Sequence, residues 1–130
     1  LLIIMEIQRA FNTHFIEFVD DIKNYFSENM EIQTTATTLR TAKKVNPKLI
    51  IGVWYDNIVK KYDDKIEKGD ISFFVTKEYS DDVNGNNTIL NGIDRIRKPV
   101  QEMPAAEQEK AMKYVQNLTK LCKLYYLNRN

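Results

Sequence analysis

The sequence predicts an all-α protein, a compact bundle of about five to six helices closed by one long C-terminal helix. Three observations lead there. Apolar residues recur at helical spacing through most of the chain. Asn29, Asn46-Pro47, Gly69 and Pro99 interrupt that pattern at segment ends. One short β-branched run exists, with no second run to pair with it.

The first helix is expected from Glu6 to Ser27. Phe11, Phe15, Phe18 and Ile22 line one face, and Val19 and Phe26 widen it. Glu17, Asp20, Asp21 and Asn24 take the other side, and Ser27-Glu28-Asn29 ends the helix. The chain begins with Leu and its first Met is Met5. Leu1–Ile4 are therefore set aside as an upstream remnant, and residues 1–130 are read as a single helical domain.

A second helix is expected from Glu31 to Val45, with Ile32, Ala36, Leu39 and Ala42 as a thin stripe. Thr34-Thr35 and Thr37-Thr38 form helices poorly. The small Ala and Thr side chains favour close approach of a neighbouring helix. Asn46-Pro47 breaks the pattern, and Pro47 suits the first turn of a third helix running to Ile66. There Ile51, Trp54 or Tyr55, Ile58, Tyr62 and Ile66 hold the spacing. Apolar residues on more than one face mark this helix as central. Gly52 costs about 1 kcal/mol relative to Ala in a helix interior and suggests close packing. Gly69 reads as a helix stop and Asp70 as the next N-cap.

Ile71–Val75 has the length and branching of a strand, but without a partner a short helix is the better expectation. Residues 80–87 read as a loop. A fifth helix is expected from Thr88 to Lys98, carrying Ile89, Ile93 and Ile96 and ending before Pro99. The last helix is expected from Pro104, at its first position, to Leu127. Its stripe is Ala111, Val115, Leu118, Cys122 and Tyr125, and its length is about 35 Å.

The net charge is only +1, yet the signs are segregated. Residues 1–32 and 62–85 are each net −4, whereas 33–61 are +5 and 86–130 are +4. Oppositely charged helices packed side by side explain this. A basic patch for an anionic partner is the sharper explanation. No apolar run approaches the roughly 18 residues of a membrane span.

Catalytic and metal chemistry find little support. His14 is the only histidine and Cys122 the only cysteine, so zinc and a disulfide are both unexpected. Cys122 lies on an apolar face and is expected to be buried and inert. Asp20-Asp21, Asp63-Asp64 and Asp81-Asp82 diverge on a helix and lack calcium-loop spacing. Asn84-Gly85-Asn86 is a turn, not a phosphate loop. The sequons at Asn86 and Asn117 are read as chance, the second lying within a helix. No cofactor and no small-molecule substrate are expected, and the chain is read as not an enzyme.

Several strings spread along the chain carry a family likeness. They include Phe11-Asn12, Phe15-Ile16-Glu17-Phe18, Asn46-Pro47-Lys48 and Trp54. Ile66-Glu67-Lys68-Gly69-Asp70 with Phe73-Phe74, then Ile93-Asp94 with Arg97, follow. Asn117-Leu118-Thr119-Lys120-Leu121 with Tyr125 completes the set. Together they resemble a family of short helical proteins of nucleocytoplasmic large DNA viruses, phycodnavirus-like and mimivirus-like. The resemblance implies a viral origin and a small helical protein without an established activity. A place in the virion, and in host cytoplasm during assembly, is extrapolated from it.

The expected function is then a structural or interaction protein of a large DNA virus. It would be a minor capsid or virion-associated component that binds other virion proteins such as the major capsid protein. Trp54, Tyr55, Arg95 and Arg97 are its candidate anchors, since aromatic and Arg side chains dominate contact energies. Trp54 also fits the core. The alternative is a nucleic-acid-binding or regulatory protein of infected cells, using Arg40, Lys43, Lys44 and Lys48. Against it, bases near a helix C-terminus also complement the helix dipole, and no aromatic platform accompanies them.

Overall fold

The computed structural model describes residues 2–75 and 88–129. Every element among them is helical and none is a strand, as the periodicity requires. The α-helices are α1 (Leu2–Tyr25), α2 (Met30–Val45), α3 (Leu49–Trp54), α4 (Lys60–Glu67), α5 (Thr88–Arg97) and α6 (Ala105–Asn128). A π-helical turn, Tyr55–Val59, joins α3 to α4, and Ile71–Phe74 and Lys98–Glu102 are 3-10 turns. The loop expected at 80–87 lies outside the described residues.

α1 buries Phe11, Phe15, Phe18 and Ile22 completely or nearly so. It begins at Leu2, not Glu6. Leu2–Ile4 of the segment set aside as a remnant are therefore helical, and Ile4 packs against the core. Ile4 and Ile7 extend the Phe stripe backwards at the same period. Asn29, expected to end the first helix, caps the second: its Oδ1 accepts from the Ile32 amide at 3.1 Å.

The threonines of α2 are accommodated within the helix. Thr37 and Thr38 donate to the carbonyls of Gln33 and Thr34, four residues back. The close approach expected of α2 is made by α5. A Cβ on Gly92 would lie 2.8 Å from Leu39 Cδ2. Gly52 permits no such contact. A Cβ there would meet only the Tyr126 hydroxyl at an ordinary 3.6 Å.

The central helix departs from expectation at two points. It starts at Leu49, so Pro47 lies in the preceding turn, where its carbonyl accepts from Asn12 Nδ2 at 2.8 Å. It also widens at Tyr55–Val59, where the Lys60 amide reaches back five residues to the Tyr55 carbonyl. Asn57 Nδ2 donates to the Val53 carbonyl alongside this turn. The stripe Ile51, Trp54, Ile58, Tyr62 and Ile66 is buried throughout. An α-helix would satisfy that spacing too, so the sequence carries no trace of the wider turn.

The stop and start at Gly69-Asp70 are as expected. Gly69 adopts φ 69°, its amide bonds to Ile66 O, and the Asp70 amide bonds to Lys65 O. This pair of bonds satisfies the last carbonyls of α4. Asp70 Oδ1 then accepts from the Ser72 amide at 2.9 Å and caps the 3-10 turn. That amide bond, with the Ser72 side chain, holds the Asp70 carboxyl below the usual range. Replacing Gly69 by Ala puts a side chain in the left-handed region. The expected loss is about 1–2 kcal/mol in urea unfolding; an unchanged midpoint would contradict this account of the turn.

α5 ends at Arg97 and tightens into a 3-10 turn through Pro99. Pro104 is the N-cap of α6 rather than its first residue, and its carbonyl accepts from the Glu107 and Gln108 amides. α6, with 24 residues, is about 36 Å long. α1 runs antiparallel to it: Asp21 pairs with Lys110, and Phe18 packs on Tyr114. α1 is also antiparallel to α2, where Asp20 pairs with Arg40 and Lys23 O accepts from Gln33. α6 returns past α3, with Thr119 against Trp54 and Cys122 against Ile51.

Candidate functional site

The four candidate anchors do not meet on one surface. Trp54 is 1% exposed and sits at the centre of the core. Its ring meets Phe11 and Phe15 edge-on at 6.1 and 6.2 Å, and Nε1 donates to Thr119 Oγ1 at 3.1 Å. It cannot serve as a surface anchor, because no face of the indole is open to a partner. Arg97, 2% exposed, is also internal. Its Nε donates to Asp94 Oδ1 at 2.9 Å and Nη1 to the Phe73 carbonyl at 2.8 Å. The guanidinium lies 4.8 Å from the Phe73 ring and 5.4 Å from the Tyr62 ring. Arg97 therefore fastens the 3-10 turn to α5 and α4. The signal was present in the sequence: Arg97 stands four residues after Ile93, on the buried stripe of α5.

Tyr55 is half-buried and stacks on Tyr126 of α6 at 3.9 Å, with Lys60 5.2 Å above its ring. Arg95 is exposed on α5 and makes no ion pair among the described residues. Of the other basic set, Arg40 is held by Asp20. Lys43, Lys44 and Lys48 make no ion pair among the described residues. Segregated charge is thus resolved partly by neighbouring helices, as Asp20–Arg40, Asp21–Lys110 and Asp63–Lys123 illustrate. Their carboxylates raise the Lys110 and Lys123 ammonium groups above the ordinary lysine value.

The single thiol and imidazole are not arranged for catalysis. Cys122 is buried, its Sγ lies 3.5 Å from Ile51 O, and burial pushes it up to about 12. At neutral pH it holds its proton and offers no nucleophile. His14 packs 4.9 Å from the Tyr114 ring, with Nδ1 3.3 Å from Glu17. It lines an open groove of about 720 Å³ between α1 and α6, with Arg9, Thr13, Asn117 and Lys120. Among the described residues no three His, Cys, Asp or Glu side chains converge as a metal would need.

The feature that sequence reading missed is a surface assembled by the helix directions. Antiparallel packing brings the start of α1 and the end of α6 to one end of the bundle, while the α2–α3 junction lies beside Asn12, near the middle of α1. Leu2, Ile3 and Met5 are exposed on α1, Val45 and Leu49 at the junction, and Leu124 and Leu127 on α6. These are seven of the ten large hydrophobics exposed among the described residues. The same segments, residues 2–9, 43–49 and 120–129, hold seven bases against one acid, Glu6, for a net +6. The remainder of the chain is therefore net negative, since the whole is +1.

Fold and surface together describe a helical protein that exposes aliphatic and basic side chains at the start of α1, the α2–α3 junction and the end of α6. Compared with protein-family models, curated proteins and solved structures, the chain matches none.

Proposed function

We propose that this chain works by contact, as a structural or interaction protein. Its proposed setting is the particle of a large DNA virus, as a minor capsid or virion-associated component. The viral setting rests on the resemblance of the strings from Phe11-Asn12 to Tyr125. The contact role rests on one observation: exposed aliphatic side chains and bases occur together where the start of α1 meets the end of α6, and again at the α2–α3 junction. Lysine-directed cross-linking and mass spectrometry of purified particles test the reading. The chain is expected in the particle, with Lys44 or Lys48 linked to a neighbour. Absence from the particle overturns the viral assignment. Presence with those lysines freely modified in the intact particle overturns the contact role. Lys43, Lys44 and Lys48 also support a second reading, nucleic-acid binding, which requires affinity that falls steeply with salt.

A further inference from the structure

We infer that the groove between the end of α6 and the π-helical turn docks an amphipathic helix of a partner protein, with aliphatic side chains on its buried face and Asp or Glu beside them. This rests on the reading that the protein acts by contact, and it names what one of its surfaces touches.

The groove has a volume of about 640 Å³. One wall is Tyr55 and Val59, the first and last residues of the π-helical turn. Such turns inside α-helices are frequent at functional sites. The other wall is α6, where Lys120, Lys123, Leu124 and Leu127 stand three and four residues apart and so share a face. Leu124 is 44% exposed and Leu127 80%, so this wall presents apolar surface that the described chain leaves uncovered. The Tyr55 and Tyr126 rings, stacked at 3.9 Å, join the two walls. A second groove, of about 380 Å³, shares Lys120 and Lys123 and continues beside α4 to Ile66 and Gln116. The trough thus follows α6 from Gln116 to Leu127, a length of about 17 Å, or about three helical turns.

The backbone selects the form of the partner. The described elements are helical and none is a strand, so no sheet edge stands here to pair with an extended peptide. A segment laid against Val59, Leu124 and Leu127 must satisfy its own amide groups, and a helix does so.

The charge selects its sign. Lys123 is held by Asp63, while Lys120 makes no ion pair among the described residues. Lys60 lies 5.2 Å over the Tyr55 ring and Arg129 5.4 Å over the Tyr126 ring. Against these four cations, Asp56 and Asp63 are the carboxylates paired with them among the described residues. Acidic side chains flanking the partner's apolar face meet the surplus. The same groups disfavour other occupants. The two tyrosine rings face each other and carry cations over them, which leaves no open ring face for a nucleic-acid base. A second copy set symmetrically on the groove would bring Lys120 and Lys123 against their own counterparts.

Selection from a displayed library of random peptides, about four helical turns long, against the full chain tests this. Enriched peptides are expected to repeat Leu, Ile, Val or Met at helical spacing with Asp or Glu beside them, and to gain helical circular dichroism on binding. Fluorescence anisotropy of an enriched peptide then reads the affinity. Leu124→Ser with Leu127→Ser should weaken it about tenfold or more. Lys120→Glu should weaken it about fivefold, an effect that shrinks as salt is added. Lys113→Gln, exposed on α6 outside the groove, should leave it unchanged. Circular dichroism of each variant alone checks that its helices are kept. No enriched peptide overturns the proposal, as does enrichment of basic peptides or binding indifferent to the Leu124, Leu127 and Lys120 substitutions. Cross-links from Lys44 or Lys48 to a particle protein, without such peptides, would overturn the helix-binding groove while leaving the contact reading intact. Self-association that Leu124→Ser with Leu127→Ser abolishes, without peptide binding, would assign the groove to a second copy and likewise overturn it.

Discussion

Replacing Trp54 by Ala is expected to lower the unfolding free energy by about 3–5 kcal/mol, the usual cost of emptying a large aromatic site. Trp54 is 1% exposed, touches Phe11 and Phe15 of α1, and donates to Thr119 of α6. Its removal therefore strikes the contact between three helices at once. Trp54→Phe keeps most of the apolar volume and loses the hydrogen bond, so a smaller loss of about 1–2 kcal/mol is expected. Urea unfolding followed by far-ultraviolet circular dichroism is the suitable readout, because Trp54 is the single tryptophan and the variants lose its fluorescence. In the unmodified chain that fluorescence should be blue-shifted when folded. A loss below 1 kcal/mol for Trp54→Ala would show that the indole is not the keystone of this core.

Arg97→Ala should cost a comparable amount, about 3–5 kcal/mol, through a different cause. The guanidinium is a buried cation balanced by Asp94, by the Phe73 carbonyl and by two aromatic faces. Taking it away strips those groups of a shared partner inside the protein. Arg97→Lys should rescue little. One ammonium cannot reproduce the planar fork that reaches Asp94 and Phe73 O together while stacking on Phe73. Hydrogen exchange adds a local readout: the amides of Phe73 and Val75, bonded to Asp70 O and Ser72 O, should lose protection first. Full rescue by Lys would mean that charge alone matters at this position, against the geometry described.

Trp54 and Arg97 are candidate surface anchors by residue type, with Trp54 fitting the core as well, and both are internal. Aromatic and Arg side chains are strong contact residues wherever they are exposed. Residue type alone does not say whether they are. The helical stripe did carry that information for Trp54, between Ile51 and Ile58, and for Arg97, four residues after Ile93. Periodicity was the better guide than composition. It gave no sign of the π-helical turn, Tyr55–Val59, beside which the buried stripe stays intact.

The sequence by itself determined the helical class, the Phe stripe of α1, the Gly69-Asp70 stop and start, and the burial of Cys122. Each depends on residues within a turn or two of one another, where side-chain spacing dictates which face meets the core. Only the tertiary structure decided how the exposed aliphatic and basic segments sit. Residues 2–9 and 120–129 meet because α1 and α6 run antiparallel, and residues 43–49 stand beside the middle of α1. Within any one of them the charge is modest and the apolar residues are few, so local spacing alone does not show which of them become neighbours.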